Sequence, residues 1–185
     1  MSTDTDTDAY LRRVREERAR KDEFFGEHPR SPIPQTARSD FDGLRYFDPD
    51  PSYRFEATLH EHDDPERITV ETTTDGAREY DTVGEFRIAV DGDDVTLQAF
   101  RSPGDDHRLW VPFRDATGGE ETYPAGRYLD LEAPDDRTAD GDWVLDFNEA
   151  YNPYCAYSAA YECPLVPVDN WLDVAIRAGE RLPDL

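Results

Sequence analysis

Residues 86–99 read FRIAVDGDDVTLQA, and this stretch carries the pattern that decides the fold. Phe86, Ile88 and Val90 occur at every second position, and the same period of two returns from Val95 to Ala99. Because successive side chains of a strand point to opposite faces, each half is typical of a strand with one buried face. The four residues DGDD at 91–94 separate the halves and indicate a tight turn. The stretch therefore predicts an antiparallel hairpin.

The same period of two recurs on both sides of this hairpin. It is present around residues 53–59, 68–70, 109–113, 129–131 and 143–147. No helical pattern interrupts these runs, so they predict a mainly β protein in which antiparallel strands follow one another as a meander. Such a meander can close its core as a barrel or as a sandwich, and the sequence leaves both open.

Two helices are predicted to flank the β core. An apolar stripe with ion pairs at i, i+4 predicts a helix over residues 9–25, after a Thr-Asp repeat at 1–8 that is typical of a disordered acidic tail. A short C-terminal helix is predicted over 170–178, with Asp169 as its cap and Gly179 as its stop. Residues 9–185 are expected to form a single domain, with the β core at about 44–148 and a polar loop segment at 148–169. The six basic residues of the first helix indicate an anion or partner site or, preferably, a helix docked on its own acidic body.

The charge composition indicates the environment of the protein more than its function. The chain has 43 Asp and Glu against 20 Lys and Arg, a net charge of -23, and Lys21 is its only lysine. Acidic residues are spread through every loop, which favours salt adaptation over an acidic partner-binding tail. Without a basic stripe that carries aromatic residues, a nucleic-acid partner is not expected. With no apolar run long enough for a bilayer and no signal-peptide core, we expect a cytoplasmic protein without a membrane partner; the oligomeric state stays open.

A dense polar segment runs from Asp115 to Glu180. Strand parity turns Asp115 inward with residues 109–113, and it turns Arg127 inward with Leu129 and Leu131. Because a buried charge without a partner is costly, Asp115 and Arg127 are predicted to lie close together or to share one polar cavity. The alternative is structural: an ion pair that clamps a hairpin, with Tyr and Asn side chains that bind loop backbone. The ligand-binding residues predicted from the segment are Asp115, Tyr123, Arg127, Asp146, Asn148, Tyr151, Asn152 and Asn170.

Other patterns predict neither a metal site nor a cofactor. Cys155 and Cys163 lack the second Cys pair of a structural zinc site, and free thiols are preferred over a disulfide or a metal site. His60 and His62 followed by Glu66 match a metal spacing, but parity places both histidines on the solvent face. A nucleophilic role for Cys155 would need a histidine nearby, and the segment contains none. The chain also lacks a phosphate-binding loop, a G-x-S-x-G motif and a dinucleotide fingerprint.

The motifs of the polar segment resemble one known family. They are DFNEAYNPYCAY at 146–157, ETYPAGRYL at 121–129, and the shorter CPL, NWL and AGE downstream. Upstream, KDEFF, SPIP and FDGLRYF are similar to the N-terminal half of the same family, the domain of unknown function 1684. The resemblance covers roughly residues 10–182, and Val166 and Val168 depart from a more proline-rich run in the family. It implies a fold shared among bacterial and archaeal proteins and implies no reaction.

Three functional hypotheses remain from the sequence. The first is a small-molecule-binding barrel or sandwich whose pocket is lined by the polar segment. The second is an enzyme of unassigned, hydrolytic class that uses carboxylates of the same segment, among them Asp115, Asp146 and Glu180. The third is a structural or partner-binding module. A titratable group with a shifted pKa that faces open space would favour the enzyme, and a pocket without one would favour binding.

Overall fold

The structure is a computed structural model that describes residues 2–184. It contains one long helix, eight strands and five short 3-10 turns among the described residues. Helix α1 spans Ser2–Glu27. The strands are β1 Arg54–Ala57, β2 His60–Glu61, β3 Arg67–Glu71, β4 Ala77–Val90, β5 Asp93–Arg101, β6 Arg108–Phe113, β7 Arg127–Glu132 and β8 Trp143–Asp146. The 3-10 turns are Arg38–Asp40, Pro51–Tyr53, Phe147–Glu149, Tyr154–Ala156 and Val168–Asn170.

The strands form two antiparallel sheets. In the six-stranded sheet, β2 and β3 pair one after the other along the same edge of β4, and β5, β6 and β7 follow on the other side. The second sheet consists of β1 and β8. The six-stranded sheet is not closed into a barrel, so the mainly β prediction is confirmed in its sandwich-like form.

The β4–β5 hairpin confirms the pattern of residues 86–99. Val90 pairs with Asp93 across the turn, and both turn residues have positive φ, 51° at Asp91 and 87° at Gly92. Asp-Gly suits this geometry because both residue types tolerate the left-handed region. Earlier in β4, position 84 requires glycine, since a Cβ there would lie 2.5 Å from the backbone oxygen of His60 in β2.

The inner face of the six-stranded sheet packs against the β1–β8 pair. Most of the alternating residues predicted to face inward are buried there, and Phe86, Leu97, Leu109 and Phe113 are 0% exposed. The exceptions are Ile68 and Val70 of β3, which lie on the opposite side of the sheet. We call the opposite side the outer face. It carries a second buried cluster composed of Val70, Tyr80, Phe100, Trp110, Tyr128 and Val166.

Helix α1 begins earlier than the sequence predicts. The disordered tail is predicted over residues 1–8; residue 1 lies outside the described residues, and residues 2–8 belong to the helix that the sequence predicts to start at residue 9. Acidic side chains in the first turns of a helix interact favourably with its unpaired N–H groups, which offsets the low helix propensity of Thr and Asp. Further along, Val14 and Phe25 are buried and Lys21 pairs with Glu180, so α1 docks on its own body.

The predicted C-terminal helix over residues 170–178 is wrong. A 3-10 turn covers Val168–Asn170, and the chain after it contains bends and irregular backbone but no helix up to residue 178. Helical periodicity is present, but the backbone groups that a helix would pair internally bind other parts of the protein. Ala116 N–H donates to the oxygen of Val174 at 2.8 Å, and Arg127 donates to the oxygen of Ile176 at 2.8 Å. Tertiary hydrogen bonds therefore replace the helical ones.

Candidate functional site

Arg127 and Asp115 form the ion pair that strand parity predicts. Arg127 Nη2 lies 3.3 Å from Asp115 Oδ1, and the two side chains are 0% and 2% exposed. Arg127 also donates to the backbone oxygens of Ile176 at 2.8 Å, of Glu180 at 3.2 Å, and of Ala178. Burial lowers the pKa of the Arg127 guanidinium, yet an arginine remains protonated in a protein. The guanidinium therefore clamps the C-terminal segment to β7 on the inner face.

Asp115 completes this clamp from the other side. Its Oδ2 accepts hydrogen bonds from Ile176 N–H at 2.6 Å and from the Thr117 hydroxyl at 2.8 Å. Both residues of the couple are thus occupied by the protein itself. Neither side chain is more than 2% exposed, so neither faces solvent.

The buried asparagines of the predicted site also bind backbone. Asn170 Nδ2 donates to the oxygens of Gln98 and Pro112, at 2.9 and 2.7 Å, and its Oδ1 accepts Gln98 N–H at 2.7 Å. Asn148 bonds both the N–H and the oxygen of Asp50. These carboxamides take the place of backbone hydrogen-bond partners. This agrees with the structural alternative, in which Asn side chains of the segment bind loop backbone.

Asp146 and Asn152 fix the neighbouring elements. Asp146 Oδ2 accepts the hydroxyl of Tyr10 at 2.8 Å, which ties helix α1 to β8. Asn152 N–H donates to Glu180 Oε2 at 2.7 Å, and its Nδ2 lies 3.2 Å from the Tyr157 hydroxyl. Both residues are buried, Asp146 just before the loop segment and Asn152 within it, and their hydrogen bonds fix its first residues to the rest of the protein.

The loop segment 148–169, which we call the flap, crosses the outer face of the six-stranded sheet. At one end Tyr151 makes an isolated bridge with Tyr128 in β7, and at the other Pro164 does so with Thr72 next to β3. Leu165 N–H adds a bond to the oxygen of Glu71 at 2.8 Å. The flap is therefore fixed to both edges of the sheet, and a space remains between these anchors.

This space, which we call the outer-face cavity, has a volume of about 610 Å³. Its wall includes the stacked rings of Tyr80 and Trp110, with centroids 4.5 Å apart, and the ring of Tyr128 edge-on to Trp110 at 5.2 Å. Tyr151 and other residues of the flap line its other side, and the space is open to solvent. The remaining polar lining includes Lys21, Arg78, Asp105, Arg108, Asp130 and Glu162.

Asp130 lines this cavity and is bound by two neighbouring side chains. Its Oδ2 accepts Arg108 Nη2 at 2.9 Å and the Tyr151 hydroxyl. Burial raises the pKa of Asp130, while these two donors act in the opposite direction. Burial and the adjacent carboxylate raise the pKa of Tyr151. The pair therefore presents a hydroxyl and a carboxylate that are already hydrogen-bonded to each other.

The two cysteines are free thiols that lie together in the flap. Cys155 N–H is 3.4 Å from Cys163 Sγ, and the Tyr123 hydroxyl is 3.6 Å from Cys155 Sγ. Burial raises the pKa of Cys163 to about 11. Tyr123 thus supports the thiols and does not line the outer-face cavity.

The eight predicted site residues are therefore not brought together around one pocket. Tyr151 lines the outer-face cavity, and Asn148 lines a smaller one of about 190 Å³ beneath helix α1. Strand parity correctly turned Arg127 inward, but the cavity lies on the opposite face. One sequence signal could have found it: the positions next to the inward ones, Trp110 in β6 and Tyr128 in β7, are large and aromatic although parity turns them outward.

Fold and site together define a sandwich-like β protein with an N-terminal helix and an aromatic cavity under a flap. A family model described as "Protein of unknown function (DUF1684)" matches residues 39–181, and the chain belongs to that family. The match confirms the resemblance of the motifs from FDGLRYF onward, whereas KDEFF and SPIP lie before the matched range.

A solved structure is similar over almost the whole chain. It is the solution NMR structure of an uncharacterised protein from Haloarcula marismortui, 48% identical, with a TM-score of 0.72. The likeness covers 96% of this chain and 97% of that one. Comparison with curated proteins finds no match. Within the described residues, no helix has the length and apolar character needed to cross a membrane.

Proposed function

We propose that this protein binds a small molecule in the outer-face cavity. The observation that carries the proposal is an aromatic-walled space of about 610 Å³ under a flap that is fixed at both ends. Cavities of roughly 300–1,000 Å³ with apolar walls and a few polar groups are typical of small-molecule sites. The site differs in position from the one predicted around Arg127, and Tyr151 is common to both.

The polar groups of the cavity support binding more than acid–base catalysis. A general acid or base must reach the substrate with a free proton or lone pair. Asp130 has a raised pKa, but its Oδ2 is engaged by both Arg108 and Tyr151. Such a group is suited to orienting a ligand through the hydroxyl of Tyr151. An enzyme of hydrolytic class remains the alternative, and turnover of a bound compound would favour it.

A ligand screen with the full chain tests the proposal. The acidic composition and the haloarchaeal origin of its relative support working in concentrated KCl. Compounds that raise the melting temperature would be mapped by amide and indole NMR shifts. We expect the shifts to include the indole of Trp110, whereas Trp143, buried on the inner side, should be unaffected.

Two tyrosine variants provide the matched comparison. Tyr151→Phe removes a hydroxyl that lines the cavity, and Tyr123→Phe removes one that does not. We expect Tyr151→Phe to weaken binding by about ten-fold, the effect of one lost hydrogen bond worth about 1.4 kcal/mol, and Tyr123→Phe to leave it unchanged. Equal losses in both variants, or hits that map away from Trp110, would contradict the proposal.

A further inference from the structure

We infer that the ligand of the outer-face cavity carries an aromatic ring and an anionic group. The inference rests on the proposed function and adds the chemical class of the ligand. It depends on two features of the cavity wall: a pair of stacked rings, and two guanidinium groups at the same end of that pair.

The stacked pair provides the surface for a ring. Tyr80 and Trp110 lie with their ring planes at 23° and their centroids 4.5 Å apart, and Tyr128 meets Trp110 edge-on at 81°. The three rings are 6–8% exposed, and each contributes to the wall of the cavity. A further ring would pack against these exposed parts in an offset-stacked or edge-to-face arrangement, both of which are favourable. Sheet register fixes the positions, because Phe100 pairs with Trp110 and Pro112 pairs with Tyr128.

The direction of the strands places the two arginines together. Arg78 lies two positions before Tyr80 in β4, and Arg108 lies two positions before Trp110 in β6. Strands β4 and β6 are both antiparallel to β5, so they run in the same direction. Each arginine therefore projects from the outer face at the same end of the ring pair, and both line the cavity.

The lining of the cavity has a higher proportion of basic residues than the chain as a whole. Lys21, Arg78 and Arg108 face Asp105, Asp130 and Glu162, a one-to-one ratio in a protein with 43 acidic and 20 basic residues. The carboxylates already have donors within the protein. Asp130 is bound by Arg108 and Tyr151, Glu162 by the Thr72 hydroxyl, and Asp105 by His107 N–H.

Arg78 has donors left for a ligand. Its Nη2 donates to the backbone oxygen of Glu162 at 2.9 Å, and its guanidinium also bonds the hydroxyl of Tyr80, so these two contacts leave part of its fork unused. A guanidinium has five N–H donors in a fork that suits a carboxylate or a phosphate. In concentrated salt the Debye length falls to about 3 Å, so direct contacts of this kind, and not the net charge of the protein, determine the preference for an anion.

Three probes that share one ring test the class of ligand. They are indole-3-acetate, its neutral amide and the cation tryptamine, titrated into the full chain in concentrated KCl and followed by NMR shifts. The variants are Arg78→Gln and, as a control with the same charge change, Arg87→Gln. Arg87 lies further along β4, pairs with Glu85 at 2.7 Å and does not line the cavity.

We expect the acid to bind about ten-fold more tightly than the amide, and Arg78→Gln but not Arg87→Gln to abolish the difference. Probes that shift Trp110 with equal affinity, a preference for tryptamine, or an unchanged preference in Arg78→Gln would each overturn the ligand class and leave the cavity as a binding site. The ligand class is likewise overturned if none of the three probes binds while the general screen finds a ligand in the cavity. If that screen is also empty, both proposals are wrong.

Discussion

Replacing Arg127 should destabilise the protein far more than replacing an exposed arginine that makes a similar pair. Arg127→Ala removes a side chain of 0% exposure and with it four contacts, to Asp115 and to the oxygens of Ile176, Ala178 and Glu180. Hydrogen bonds to charged groups are each worth about 1.5–3 kcal/mol but do not add when they share one side chain. Breaking a buried pair by removing one partner costs about 3–5 kcal/mol.

We therefore expect Arg127→Ala to lower the free energy of unfolding by about 3–5 kcal/mol. This is a large part of the roughly 5–15 kcal/mol that stabilises a typical domain. At this chain length it corresponds to a fall in melting temperature of roughly 6–20 °C. Arg127→Lys keeps the charge and loses the forked geometry, so its loss should be intermediate.

Urea denaturation at fixed salt concentration, followed by tryptophan fluorescence, measures this difference. The control is Arg67→Ala, because Arg67 also pairs with an aspartate, Asp81, at 2.8 Å but is 53% exposed. Hydrogen exchange adds a local test: amides of residues 172–181 should lose protection in Arg127→Ala before those of β5. If Arg127→Ala and Arg67→Ala unfold at the same urea concentration, the clamp contributes nothing and the reasoning is refuted.

Three further predictions concern pH, thiol reactivity and a buried carboxamide. Burial, followed by nearby carboxylates, raises the pKa of Glu149 from its ordinary 4.5 to about 7, so stability should fall as pH rises through that interval; Glu149→Gln should flatten this part of a melting-temperature profile, and an unchanged slope would contradict it. Because burial raises the pKa of Cys163 to about 11, mass spectrometry at pH 8 should show slow alkylation of Cys163 in the folded protein and rapid alkylation in urea, whereas equal rates would exclude the buried thiol. Asn170→Asp turns a carboxylate toward two strand carbonyls and should cost about 2–4 kcal/mol in urea denaturation, while Asn170→Gln, which keeps the amide, should cost less.

Strand parity is the part of the site that local pattern could predict. The alternation of Leu129 and Leu131 with their neighbours places Arg127 on the inner face, and the same logic applied to 109–113 places Asp115 there. An inward arginine and an inward aspartate are then expected to pair, because burying either charge away from water without a partner costs free energy. The prediction of the pair needed no knowledge of any distant contact.

The partners beyond that pair could not be predicted in this way. Arg127 binds the oxygens of Ile176 and Ala178, about fifty positions further along the chain, and this prevents the helix that the local pattern of 170–178 favours. A helix satisfies its own carbonyl groups, so nothing within the segment reveals that another residue will bind them instead.

By itself, the sequence determined the β-rich class, the hairpin at 86–99, the family and the inward direction of Arg127, because each depends on residues close together in the chain or on motif identity. Only the tertiary structure decided which face of the sheet holds open space. The outer-face cavity exists because the flap is fixed at Tyr128 and at Thr72, two sites far apart in sequence, and spans the rings between them. A cavity is the volume that packing leaves unfilled, and packing is determined by the whole chain at once.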